Sequence, residues 1–151
     1  MRKVSWEVRY LSLPQVLRHC KKCGQKTLFT CSEKVRVNAQ QKTLDIWLIY
    51  SCSRCNTTWN ARVNAHISPQ SISHERLEGF CQNDRSLVAE YAMDSAFLRQ
   101  NGAEVQTPPY RITGEDFSPE EVVELELRSE YPVPIKIAAL VREKLHLSQA
   151  A

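Results

Sequence analysis

The amino-acid sequence predicts the α+β class, with an N-terminal antiparallel β zinc ribbon followed by a small helical segment and a short C-terminal strand and helix. Two C-x-x-C pairs stand 28 residues apart. The residues around them alternate between apolar and polar types, which is typical of half-buried strands. After Ser68-Pro69 the apolar period lengthens to that of a helix. We therefore predict a β-rich zinc-ribbon domain at residues 1–67 and an acidic helical or mixed segment at residues 68–151 that packs on it.

Strands are predicted on both sides of each cysteine pair. The first covers residues 4–10, and the others cover residues 27–30, 34–38, 44–50 and 57–63, with a polar turn at residues 39–42. Because both cysteine pairs then stand at neighbouring ends of antiparallel strands, their thiols are expected to meet.

Helices are predicted from capping residues and apolar stripes. Ser73 is expected to cap a helix that contains Leu77 and Phe80. A second helix is expected at residues 86–100, ending at Asn101-Gly102. Further along, the pattern predicts a short strand at residues 110–113, another strand at residues 123–128, and a last helix at residues 135–145 opened by Pro134.

The paired cysteines predict one structural zinc site. Its expected ligands are Cys20, Cys23, Cys52 and Cys55. Two intervening residues let a tight turn aim both sulfurs of a pair at one ion. Gly24 and Asn56, each directly after a pair, tolerate the positive φ that such a turn requires. With four thiolates bound, zinc has no free position for a catalytic water, so the metal is expected to stabilise the fold.

Other cysteine chemistries fit the spacing less well. A thioredoxin-like dithiol usually has a single pair that leads into a helix, and iron–sulfur clusters use other spacings. A mononuclear iron site has nearly the same ligand geometry, so iron stays open beside zinc. Cys31 and Cys81 are expected to be buried small hydrophobic residues, and His19 and His66 to be surface residues beside the metal ligands.

Charge is distributed unevenly along the chain. Residues 1–66 hold 12 Lys and Arg against 3 Asp and Glu, whereas residues 67–133 hold 5 against 13. Such a division predicts either a polyanionic partner for the basic half or docking of the two halves of the chain on each other. No apolar stretch approaches the roughly 20 residues of a membrane-spanning helix, and no secretory signal follows the first residues. We therefore expect a cytoplasmic protein with no membrane partner.

Basic residues cluster around the two cysteine turns and on the strands between and after them. If these turns are adjacent, the cations form a candidate phosphate-binding surface, for which we favour RNA over DNA as the ligand. The expected contacts are Arg18, Lys21, Lys22, Lys26, Arg36, Arg54 and Arg62. Trp47, Tyr50 and Trp59 would stack on bases if exposed; the alternative is that Trp47 and Trp59 form the small core of the ribbon.

These features favour a non-catalytic binding module over an enzyme. The chain has no P-loop and no G-x-G-x-x-G, G-x-S-x-G or H-E-x-x-H motif. The leading hypothesis is a module that binds nucleic acid through its basic half. The alternative is a protein-interaction or assembly module, joining copies of this chain or another protein, in which the zinc is purely structural.

Several segments resemble a known bacterial family. They are residues 20–24 (CKKCG), 35–38 (VRVN), 44–50 (LDIWLIY), 52–60 (CSRCNTTWN) and 101–103 (NGA). These segments are similar to the uncharacterised family catalogued as domain of unknown function 1062. The resemblance implies a bacterial cytosolic protein, supports the pairing of the two cysteine turns, and brings no activity with it.

The C-terminal residues 135–148 resemble the first helix of a small RNA-binding module named after a ribosomal small-subunit protein. That module continues into a second, basic helix that touches RNA, and Gln149 stands where an arginine is common. The resemblance implies either the start of such a module or an ordinary amphipathic helix.

Overall fold

The structure, a computed structural model, describes residues 1–40, 42–132 and 135–147. These residues form eight strands and four α-helices, so the predicted α+β class is confirmed. Parts of three predictions lie outside them, namely the turn at Gln41, the helix start at Pro134 and the C-terminal resemblance from Ser148 onward. The chain divides into two compact units. We call Leu13–Thr107 the central unit, and Met1–Ser12 together with Pro108–Ala151 the terminal unit.

The central unit is built on a five-stranded antiparallel sheet in the order β5-β4-β3-β2-β6. Its strands are β2 (Val16–Cys20), β3 (Gln25–Gln40), β4 (Thr43–Cys52), β5 (Thr58–Ile67) and β6 (Glu104–Val105). The separate strands predicted at residues 27–30 and 34–38 are both part of β3. The chain does not turn between them, because a β-bulge between Cys31 and Val35 absorbs the irregularity, with Glu33 at a φ of 61°.

One face of this sheet, the inner face, carries the core of the central unit. Along β4 the buried residues alternate with half-buried ones, and Leu48, Tyr50 and Cys52 belong to the core while the intervening side chains point to the other, outer face. Helical residues complete the core, among them Val88 of the second helix and Leu98 of the third. The inner face is therefore the covered side of the sheet.

The helices of the central unit are α1 (His74–Cys81), α2 (Arg85–Ala92) and α3 (Ser95–Gln100). The predicted Ser73 cap is confirmed, since its side chain accepts a hydrogen bond from the Arg76 backbone N–H. The single helix predicted at residues 86–100 is wrong. Asp94 interrupts it, because its carboxylate accepts from the backbone N–H of Phe97 and so caps a new helix in the middle of the apolar stripe.

The terminal unit contains a three-stranded sheet in the order β7-β1-β8. Its elements are β1 (Arg2–Tyr10), β7 (Tyr110–Gly114), β8 (Val123–Ser129) and α4 (Ile137–Lys144). β1 lies antiparallel to β7 and parallel to β8. The prediction that β1 belongs to the ribbon is wrong, because β1 pairs with β7 and β8, which come from much later in the chain. The predicted boundary after residue 67 falls inside the central unit.

Trp6 is the centre of the terminal unit. Its side chain is 1% exposed, its Nε1–H donates to the carbonyl oxygen of Glu115 at 2.8 Å, and its ring stacks on Phe117. Gly114 lies directly against it, with a φ of 144°, and a Cβ added there would stand 2.3 Å from the Trp6 Cδ1 atom. Only a residue without a side chain therefore fits opposite Trp6 in β7.

Candidate metal centre and basic surface

The two cysteine pairs occupy matching tight turns. In the first, the Gly24 N–H donates to the Cys20 carbonyl oxygen at 2.8 Å, and in the second the Asn56 N–H donates to the Cys52 carbonyl oxygen at 2.9 Å. Gly24 has a φ of 72° and Asn56 a φ of 61°. The left-handed residue predicted after each pair is thus confirmed, and it lets each chain reverse around its two sulfurs.

The four predicted ligands come together. Their Sγ atoms all lie within 4.8 Å of one another, with 3.5 Å between those of Cys20 and Cys55 and 3.9 Å between those of Cys23 and Cys52. The turns are neighbours because β3 pairs with β2 on one side and with β4 on the other. A tetrahedron with metal–sulfur bonds of about 2.3 Å has edges of about 3.8 Å, so the donor set fits a single metal ion.

Two threonines that the sequence analysis missed support the sulfurs. The Oγ1 atom of Thr27 lies 3.1 Å from the Sγ of Cys52, and that of Thr57 lies 3.0 Å from the Sγ of Cys55. A threonine that supports a metal ligand can be predicted from sequence only when the face of the strand on which it lies is known. Thr27 faces inward on β3, two residues before the buried Phe29. Both hydroxyls are placed to hold a thiolate in one orientation.

The surroundings of the sulfurs shift the pKa values of the thiols in different directions. The hydrogen bond with Thr27 lowers the pKa of Cys52, and the hydrogen bonds with Thr57 lower the pKa of Cys55. Desolvation, with the neighbouring thiols, raises the pKa of Cys23. Such close sulfurs cannot all be thiolates unless a cation compensates them, which is the charge state in which cysteine binds metal. The cluster can therefore bind a metal ion.

The remaining cysteines and histidines lie outside this cluster. Cys31 is buried in the core of the central unit, as predicted, but Cys81 is exposed at the end of α1, so its predicted burial is wrong. His19 and His66 are exposed, as predicted. The imidazole Nδ1 of His66 lies 3.8 Å from the buried carboxylate of Asp45. All six cysteines are free thiols.

The seven basic candidates fall into three groups. Lys21, Lys22 and Arg54 are exposed on the cysteine turns. Arg36 and Arg62 are exposed on the outer face of the sheet. Lys26 pairs with Glu104 at 3.3 Å, and Arg18 lies on the inner face, its Cζ atom 4.2 Å from the ring centroid of Trp59. The structure therefore brings six of the seven to solvent, all but Arg18, without bringing all of them to one place.

The three aromatic candidates separate by strand face. Tyr50 is fully buried and contacts Trp59, and Trp59 packs against the core beside Phe29. Both therefore belong to the inner face. Trp47 is half-buried and points to the outer face, between the buried Ile46 and Leu48. Of the three, Trp47 therefore lies on the outer face, away from the core that Tyr50 and Trp59 contact.

The fold and the site define a class: an α+β protein with a four-cysteine cluster able to hold a metal ion. The chain belongs to the family described as "Protein of unknown function (DUF1062)", whose model matches residues 37–151. The match contains the second cysteine pair and begins after the first. No curated protein and no solved structure matches the chain. Within the described ranges, no helix is both long and apolar enough to cross a bilayer.

Proposed function

We propose that the chain is a non-catalytic binding module that holds one structural zinc ion and contacts RNA through basic residues of its central unit. The observation that carries the zinc part is the approach of four sulfurs within 4.8 Å of one another. Four thiolates fill a tetrahedral site, so no position is left for a reacting water. Zinc bound there would hold the two cysteine turns together and contribute folding energy, on the order of 10 kcal/mol.

Zinc is preferred to iron because zinc accepts four thiolates in this geometry without electronic preference, which suits the proposed structural role. Metal analysis of the purified protein tests this. We expect one zinc per chain and a colourless solution. One iron per chain, with the visible absorption of an iron–thiolate site, would replace zinc by mononuclear iron and leave the structural role intact.

The RNA part is supported by the unpartnered cations of the central unit. Across the part of the chain that the structure describes, Lys21, Lys22 and Arg54 form no ion pair with a carboxylate. The central unit holds 12 Lys and Arg against 8 Asp and Glu. Four thiolates around a divalent ion carry a net charge of about −2, so the turn cations also compensate the metal site.

A salt series tests the RNA part. RNA and DNA oligonucleotides are titrated with zinc-loaded protein at increasing salt, and the logarithm of the affinity is plotted against that of the salt concentration. We expect tighter binding to RNA and a slope that counts the phosphate contacts. Absence of RNA binding even at low salt would remove this function.

An assembly module is the second candidate, and one observation favours it. The large hydrophobic side chains with the greatest exposure, Met1, Leu11, Val122 and Ile137, all belong to the terminal unit. Such side chains can take part in a protein interface. Light scattering without nucleic acid discriminates the candidates, because a concentration-dependent oligomer would favour assembly and a monomer that binds RNA would favour the first candidate.

A further inference from the structure

Three strands of the central unit place one aromatic ring between two guanidinium groups. In the sheet register Trp47 of β4 stands opposite Arg36 of β3 on one side and opposite Arg62 of β5 on the other. The three side chains thus form a row across the outer face, which we call the Arg–Trp–Arg row. Cross-strand neighbours on one face are close enough to act on the same ligand.

The row is open to a ligand. Arg36 and Arg62 are exposed, and neither guanidinium forms an ion pair within residues 1–40, 42–132 and 135–147. The Cζ atom of Arg36 lies 5.6 Å from the ring centroid of Trp47. The similar Arg18–Trp59 contact is different in kind, because it packs among core residues on the inner face.

The outer face between the row and the cysteine turns has few opposing charges. Along β4 the outward residues after Trp47 are Ile49 and Ser51, opposite Asn60 and Thr58 of β5. Five residues of strand separate Trp47 from Cys52, or roughly 16 Å. The carboxylates in β3, β4 and β5 are those of Glu33 and Asp45. Glu33 lies in the bulge of β3, and Asp45 is buried and accepts a hydrogen bond from the His66 N–H.

We propose that the Arg–Trp–Arg row is a stacking site for an unpaired base of single-stranded RNA, with Arg36 and Arg62 binding the phosphates on either side. This inference rests on the proposed RNA binding and specifies the form of RNA that is recognised. A flat ring between two cations complements a base between two phosphates. In a duplex the base faces are stacked on one another and are hidden from Trp47.

The test uses the full-length, zinc-loaded chain and two labelled RNAs, a single strand and a hairpin of equal length. Trp47→Ala should weaken single-strand binding about tenfold or more, because one stacked base is lost, and should leave hairpin binding unchanged. Trp47→Phe keeps an aromatic face and should retain most of the affinity. In the wild type, stacking should also quench Trp47 fluorescence when the single strand binds.

Two double variants separate the row from the turns. Arg36→Gln with Arg62→Gln should lower the single-strand salt slope by about 1.4, since each phosphate contact contributes about 0.7. Lys21→Gln with Lys22→Gln is the matched control, and it should weaken single strand and hairpin equally. Zinc content and circular dichroism equal to those of the wild type establish that each variant is folded.

The outcomes distinguish this inference from the function on which it rests. If the wild type binds neither RNA at low salt, the proposed function fails and the stacking site fails with it. If the wild type binds RNA and Trp47→Ala, folded and metal-loaded, keeps the wild-type ratio of single-strand to hairpin affinity, the stacking site alone is overturned.

Discussion

The two units of the chain build their cores by different means. The central unit holds all six cysteines, brings four of them together at one end of its sheet, and covers the inner face with helices. The terminal unit has no cysteine and packs around Trp6, which Phe117 stacks upon and the Lys144 ammonium overlies. We therefore expect metal removal to destabilise the central unit and to leave the terminal unit, which packs around Trp6, largely unaffected.

Charge is more evenly balanced within each unit than along the chain, since the central unit holds 12 Lys and Arg against 8 Asp and Glu and the terminal unit holds 8 against 9. The acidic segment near the end of the chain meets the basic start of β1, since Arg2 pairs with Glu115 at 3.2 Å and with Glu121 at 3.1 Å. These pairs are exposed and contribute little to stability. They pair a cation of the basic first segment with carboxylates of the acidic later segment inside the terminal unit.

Metal removal should produce the largest contrast between the units. Chelation, or the substitution Cys52→Ser, is expected to unfold the central unit at a cost on the order of 10 kcal/mol. The three indole N–H signals in a two-dimensional NMR spectrum report the result: those of Trp47 and Trp59 should collapse to random-coil positions while that of Trp6 stays. Cys81→Ser, at an exposed cysteine, is the control and should move none of them. Simultaneous loss of all three signals would show that the units depend on each other.

The substitution Gly114→Ala should instead destabilise the terminal unit and leave the central unit intact. The new methyl group would stand 2.3 Å from Trp6 Cδ1 and 2.7 Å from the Ser5 carbonyl oxygen. We expect a loss of about 3 kcal/mol from the terminal unit, with a shifted Trp6 signal and unchanged metal content. Gly102→Ala is the matched control. That glycine also has a positive φ, but nothing lies within 4 Å of the added carbon, so its cost should be about 1 kcal/mol. Equal costs would contradict the close packing at Trp6.

The smallest effect is expected from Thr27→Val, which removes a hydroxyl beside Cys52 and preserves the side-chain shape. Metal affinity should fall roughly tenfold in a chelator competition, because the thiolate loses a supporting donor. The hydroxyl lowers the pKa of Cys52, so its loss raises that pKa. Protons then compete with the metal ion for the Cys52 thiolate at higher pH. The pH midpoint of metal loss should therefore rise. Thr58→Val, on the exposed side of β5, should change neither quantity.

Much of the site could be predicted from sequence because its signals are local. The spacing of two cysteine pairs and the residues after them, Gly24 and Asn56, specify the turns whatever surrounds them. The helix break at Asp94 was missed although its cause is also local. The apolar stripe continues past Asp94 and predicts one helix, whereas a single aspartate is a weak signal for a helix cap.

The pairing of the strands and the face on which each side chain lies were harder to predict from sequence. β1 pairs with β8 across more than a hundred residues, and no local pattern specifies a partner so distant. In β4 both faces are largely apolar, so alternation could not separate Trp47 from Tyr50. Arg18 could have been placed better, because on a strand it shares its face with the apolar Val16 and the ligand Cys20.

The pairing of β1 with β7 and β8 has a consequence for synthesis on the ribosome. Tyr10 is made roughly 100 residues before its partner Tyr110, which corresponds to roughly 5 to 20 seconds of translation. The whole central unit, with its four thiols, emerges during this interval and has time to capture an ion. Until β7 and β8 are made, β1 has no strand partner and the Trp6 ring is uncovered, so this segment exposes apolar surface that a chaperone can bind.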